Sequence, residues 1–421
     1  RSECRQWVDD GDISAEQGER ILARYGTSLE DVSDGSLAYK VLVGVALLFA
    51  GMAMMLLVSA NWEEIPRVVR MLGLVATTLV LNGIGVRHFL RDGSGIGWLF
   101  VGSISYGASI MLIAQIYHLG EHFPDGLLVW ALGVAPMALL TRSRVIALLM
   151  LALALFWLMA EGQFSPPWAM VLFLGCSVAV ARMACSAGLM IVTVAAAVSW
   201  LNVLLGWAYG YPWRPDIEAG HLTLNMGLLA LIFMAGHRLS ATTSVYLRRT
   251  ATLLSLWALR GYLLLLLPFT FTEFCEGYLK ELETVMDPGL WMGLLAAIPA
   301  ACLALRNRSA HPLSRGLVMG LPLVMVLLHG GINEAMAVPV TVLVNLLVLG
   351  SAIVLVQQGL LKGLSQYFYS GVALLLVLGM MRYVDLVGDY VGGSVLFLLA
   401  AGILFLAAHY WRDRQGGAGH E

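Results

Sequence analysis

Gln115, Tyr117, His118, Glu121, His122 and Asp125 follow one another where an apolar helix beginning near Ser103 gives way to a second that carries the chain back to Arg142 and Arg144. Gly107, Met111, Gln115, His118 and His122 share one face by their spacings of three and four. Such groups at membrane depth usually face a bundle interior or a water-filled cavity. His118 could titrate near neutral pH and relay protons with Glu121 or Asp125. The alternative is that Gln115 and His118 bond neighbouring helices or interfacial water. With no HExxH and no paired-histidine spacing beside a third ligand, no metal centre is expected, and no cofactor.

Glu161 and Glu334 form a second group, with His329 shortly before the latter. Paired carboxylates there could hold a cation or proton, because crowded like charges raise an apparent pKa. They could equally be solvated acids at helix ends. Arg260, mid-helix in LWALRGYLLLL, cannot easily snorkel to either surface. It must meet a carboxylate, a carbonyl or an anionic ligand. Arg382 and Asp385 could pair to brace a cavity mouth, and Asn61, Trp62 and Pro66 mark a tight interfacial connection.

The elements that must position these groups are membrane helices. The 421-residue chain is 59% hydrophobic and 12% charged, with mean hydropathy +0.81. The net charge of -2 offers no basic patch for a nucleic acid. The five scattered cysteines read as small buried residues, with neither a disulfide framework nor a zinc site. The first apolar segment sits too deep to be a cleaved signal peptide.

Hydropathy predicts about fourteen transmembrane helices, near 39–60, 67–87, 96–118, 125–141, 145–161, 167–183, 187–208, 221–237, 248–271, 288–305, 315–330, 337–357, 364–381 and 393–411. Threaded from an inside N-terminus, they leave fifteen basic residues on the inner side and five on the outer: Arg67, Arg70, Arg214, Lys280 and Arg382. Both termini are therefore expected in the cytoplasm.

Self-comparison adds a repeat. The stretch from Asp125 resembles that from Asp287, with Trp130 near Trp291, Pro136 matching Pro299 and Arg142 matching Arg306; Glu161 falls near Glu334. An offset near 163 to 175 residues makes helices three to eight recur as nine to fourteen. Resemblance by Leu/Ala/Gly-rich composition is the competing explanation. The expected fold is an all-α integral membrane protein with a six-plus-six parallel repeat and two extra N-terminal helices. Its parts are a small cytoplasmic helical appendage (1–38), leading helices (39–95), two six-helix repeats (96–240 and 241–414) and a disordered tail (415–421). Within the appendage Ser14 is placed to cap a helix.

The stretch SANWEEIPR, followed by YGASIMLIAQIYHL and LLTRS, resembles the bacterial membrane-protein family called domain of unknown function 2157. The C-terminal half, with Met381 to Leu386 and a final helix ending at Trp411, looks like the tail of that family and its sister domains. The resemblance implies a multi-pass inner-membrane protein and assigns no activity. It also implies a candidate partner, a small membrane-anchored protein with a GDYxxLxY motif.

No Walker A, GxSxG or Gly-rich dinucleotide sequence is present. The leading expectation is a secondary transporter or a lipid or small-molecule permease with a polar cavity between the repeats. Gln115, Tyr117, His118, Glu121, Asp125 and Arg260 would line it, and His118 with the loop acids would handle protons or cations. The alternatives are a scaffold or sensor working with a partner or as a homo-oligomer, and a membrane-embedded enzyme acting on a lipid-linked substrate.

Overall fold

In the computed structural model, the residues described are 10–23, 65–118, 122–210, 218–282, 286–307, 310–329 and 334–386, with isolated positions besides. Among them 87% are helical and none is in a strand. In the N-terminal stretch, α1 (Ala15–Ala23) starts at a reciprocal cap. Ser14 Oγ accepts from Gln17 N at 3.2 Å while Gln17 Oε1 accepts from Ser14 N at 2.9 Å. Two helix-end donors are thereby satisfied.

The membrane helices begin with α2 (Arg67–Asp92), whose first turn closes on the Pro66 carbonyl. There follow α3 (Ile96–Tyr117), α4 (Phe123–Thr141), α5 (Arg144–Glu161), α6 (Met170–Met183), α7 (Ala187–Ala208), α8 (Ala219–Leu239) and α9 (Val245–Leu266). A short α10 (Thr272–Glu281) precedes α11 (Pro288–Arg306), α12 (Pro312–His329), α13 (Ala337–Lys362) and α14 (Ser365–Leu386). Ten of the described helices are long and apolar enough to cross a membrane, against the fourteen expected. The candidates at 39–60 and 393–411 lie largely outside the described residues. The segment expected at 167–183 shrinks to the 14 residues of α6. Pro166 and Pro167 supply no backbone donor and keep the chain out of the helix until Met170.

Tight connections make neighbouring helices antiparallel. Between α4 and α5, Arg142 takes φ 52° and Ser143 caps Ile146 N. Ser186 caps α7 in the same way and Ser244 caps α9. One buried apolar cluster runs from Leu99 to Val203 through α3–α7, and a second from Ala219 to Leu378.

Lipid is as apolar as leucine, so helices associate through close packing and hydrogen bonds. Two seams show both. Between α3 and α4, Trp130 lies over Gly107, where any Cβ would overlap the indole, and its Nε1 donates to the Ser103 carbonyl at 2.8 Å. Between α8 and α11 the backbones meet: a Cβ on Gly289 would stand 2.5 Å from Gly220 Cα, and one on Gly227 would overlap the Gly293 carbonyl.

Two indoles of α7 hold the connection between α5 and α6. Trp207 Nε1 donates to the Gly162 carbonyl and Trp200 Nε1 to the Pro167 carbonyl, each at 3.0 Å. The Gly162 carbonyl lies past the end of α5, and the Pro167 carbonyl also accepts from Met170 N at 3.3 Å. This fixes the segment carrying Glu161, Phe164 and Ser165.

Candidate functional site

A cavity of about 1040 Å3 lies among α2, α3 and α4. Val75, Leu79, Ile110, Ile113 and Val129 make its apolar walls; Gln115, His118, His122 and Asp125 gather where α3 ends and α4 begins. The wall between α2 and α3 is a hydroxyl seam. Thr78 Oγ1 lies 2.9 Å from Ser105 Oγ and 3.0 Å from Ser109 Oγ, and Asn82 Nδ2 donates to the Thr78 carbonyl. Hydroxyls paired in this way remain satisfied without water.

At the polar end the chain makes a left-handed turn at His118, φ 53°. Pro124 then stands in the first turn of α4 with Asp125 beside it. Acidic groups are favoured at a helix N-terminus. His122 Nε2 donates to Glu161 Oε2 at 2.8 Å, across the open end of the α4–α5 hairpin. The Ser165 hydroxyl donates to the other carboxylate oxygen, and the Phe164 ring packs edge-on to the imidazole with centroids 4.7 Å apart. Glu161's side chain is only 12% exposed. One ligand atom each from His122, Asp125 and Glu161 lies within 4.8 Å of the others.

The residues singled out from sequence are thus divided. Gln115, His118 and Asp125 line the cavity, while Tyr117, 37% exposed, is not among its lining. Glu161 meets His122, a partner that sequence reasoning did not give it. Glu334 opens a 3-10 turn, but its side chain, like Glu121, Asn61, Trp62 and the side chain of Asp385, lies outside the described residues. Arg260 Nε donates to Ser370 Oγ at 3.0 Å, with the guanidinium 5.4 Å from the Trp257 ring centroid. It lines neither this cavity nor the second one described below. Arg382 lies 4.5 Å from the Phe271 ring centroid, with Nη2 3.5 Å from Thr270 Oγ1.

His329 belongs to a second acid–histidine pair. Its Nε2 lies 3.8 Å from Asp287 Oδ2, both side chains almost wholly buried, and its Nδ1 donates to the Met325 carbonyl. Asp287 Oδ1 caps α11 by accepting from Gly289 N, and also accepts from the Tyr209 hydroxyl, both at 2.6 Å. Burial, then the hydrogen bond and charge of Asp287, push the Tyr209 phenol above its ordinary pKa, so it stays a donor. Sequence reasoning missed Asp287 and Tyr209 as functional groups, although Asp287-Pro288 carried a helix-start signal.

A second cavity, of about 100 Å3, lies among α8, α9, α12, α13 and α14, where Phe233, Tyr262 and Leu317 meet His237, His311 and Gln358. Sequence reasoning missed both histidines, because each stands alone in its own segment.

Helices of this length and apolarity define a multi-span α-helical membrane protein. Residues 5–147 match the family model described as predicted membrane protein (DUF2157). The match takes in α1 to α4, hence the walls of the larger cavity, and stops short of Glu161. No curated protein and no solved structure matches the chain.

Proposed function

We propose that this chain is a lipid-handling protein of the bacterial cytoplasmic membrane, with both termini in the cytoplasm. It takes an amphiphile into the cavity among α2, α3 and α4. The observation that carries this reading is the cavity's polarity: apolar walls on helices long enough to cross a membrane and a cluster of Gln115, His118, His122 and Asp125 at one end. At about 1040 Å3 it is at the upper end of ligand sites, which usually measure about 300–1,000 Å3. An acyl chain would lie against Ile110, Ile113 and Val129, and a polar head would meet the histidines. The positive-inside threading puts that end on the outer face.

A six-plus-six repeat agrees with this organisation. The hairpins α4–α5 and α11–α12 both carry an acid–histidine pair across their open ends, His122 with Glu161 and Asp287 with His329. Acid and base exchange places between the two. The first pair borders a cavity and the second is sealed, so the ligand belongs to the first half alone. A non-transporting scaffold working with a partner is the second reading. It is favoured by Arg260, which is engaged with Ser370 and lines neither of the two cavities described, in keeping with a bundle without a midplane water path.

The test is photo-crosslinking with a diazirine phospholipid in membranes. Labelling is expected to concentrate on residues 106–129. Val129→Trp, which fills the cavity from its apolar wall, should lower that labelling about tenfold and leave labelling elsewhere unchanged, the loss expected when a bound chain is displaced. Labelling spread evenly over the apolar surface, and indifferent to Val129→Trp, would refute the proposal.

A further inference from the structure

We infer that His122, Asp125 and Glu161 form a binding site for one divalent transition-metal ion of the Zn2+ or Mn2+ kind. The inference does not depend on what occupies the cavity. The three donors come from the N-cap of α4, its first turn and the last residue of α5. Their ligand atoms already lie within 4.8 Å of one another. Around such an ion at about 2.0–2.2 Å, neighbouring donors stand roughly 3 to 3.5 Å apart. His122 Nε2 and Glu161 Oε2, at 2.8 Å, are therefore close enough already. Asp125 is exposed, with its ligand atom already within 4.8 Å of the other two.

Features around the donors separate this cluster from a set of solvated acids. Glu161 is mostly buried, and its second oxygen is held by the Ser165 hydroxyl, the kind of outer-shell bond that aims a ligating carboxylate. The Phe164 ring fixes the imidazole plane, and the α7 tryptophans hold the backbone that carries both residues. On binding, Nε2 of His122 gives its proton up to water, the neutral imidazole keeps its proton on Nδ1, and Nε2 and the Glu161 carboxylate oxygen both ligate the ion. An imidazole with two carboxylates suits Zn2+ or Mn2+; Mg2+ prefers all-oxygen shells that keep their waters. The three protein ligands leave further coordination positions for water or another ligand.

The test uses the full chain, purified in detergent and stripped with a chelator, titrated with ZnCl2 by calorimetry and with Co2+ by visible absorption. One ion per chain is expected, with Co2+ bands of a nitrogen–oxygen site. His122→Ala and Asp125→Asn should each weaken binding at least tenfold and abolish those bands, and the exposed Asp125→Asn should leave the metal-free unfolding midpoint in place. Ser165→Ala should weaken binding about tenfold, as loss of a supporting bond does. If His122→Ala does not fold, the exposed Asp125→Asn decides. Zn2+ affinity unchanged in Asp125→Asn, or a site preferring Mg2+ to Zn2+, would overturn the assignment.

Discussion

Asp287→Ala is expected to destabilise the protein by about 2–4 kcal/mol, the cost of a lost helix cap together with a buried hydroxyl left without its acceptor. Three things are lost together. The α11 N-cap goes, worth about 1 kcal/mol by itself. The Tyr209 hydroxyl, held protonated by burial and by that carboxylate, is left without its 2.6 Å acceptor. His329, 4% exposed, loses the carboxylate opposite its Nε2. Tyr209→Phe removes only the second of these, the hydroxyl's bond to Asp287, and should cost about 1 kcal/mol, the typical net worth of one hydrogen bond. Reversible SDS or thermal unfolding in detergent measures both. A loss below about 1 kcal/mol in Asp287→Ala would mean that the buried carboxylate adds nothing through Tyr209 or His329, because its cap contribution alone accounts for that much.

Gly227→Val is expected to cost about 3 kcal/mol or more, at or beyond the upper end for overpacking a core. The new Cβ would overlap the Gly293 carbonyl, and backbone cannot rotate out of the way as a side chain can. The helices α8 and α11 must then separate, breaking the adjoining contacts of Gly220 with Gly289 and of Thr223 with Gly293. Where van der Waals contact is the main attraction between helices, that separation is costly. Gly350→Ala on α13 is the control: its Cβ meets nothing within 4 Å, and φ is ordinary. There the change should be neutral or stabilise by about 0.5–1 kcal/mol through helix propensity. Equal effects at 227 and 350 would show that the close approach does not hold the pair together.

Much of the fold is legible in the chain because membrane insertion depends on a local sum over about twenty residues. Boundaries predicted for the segments at 96–118, 187–208 and 288–305 fall within one residue of α3, α7 and α11. The reciprocal cap at Ser14 was equally local. The misreading at 167 had a local cause that hydropathy averages away: two prolines inside an apolar run. The candidate site was half legible. His118, His122 and Asp125 stand near one another in sequence, so helical spacing could group them, whereas Glu161 lies 39 residues beyond His122 and reaches it only through the return of α5.

Composition and hydropathy by themselves determined that this is an all-helical membrane protein, where its central helices run, and that polar groups gather between α3 and α4. The tertiary structure alone decided the partners: Glu161 with His122, Asp287 with Tyr209 and His329, and Arg260 with Ser370, which is 110 residues away. The physical reason lies in what each scale measures. Whether a segment enters the membrane depends on its own transfer energy, while which face it turns to which neighbour depends on small residues such as Gly107, Gly227 and Gly293 that set how closely two helices approach.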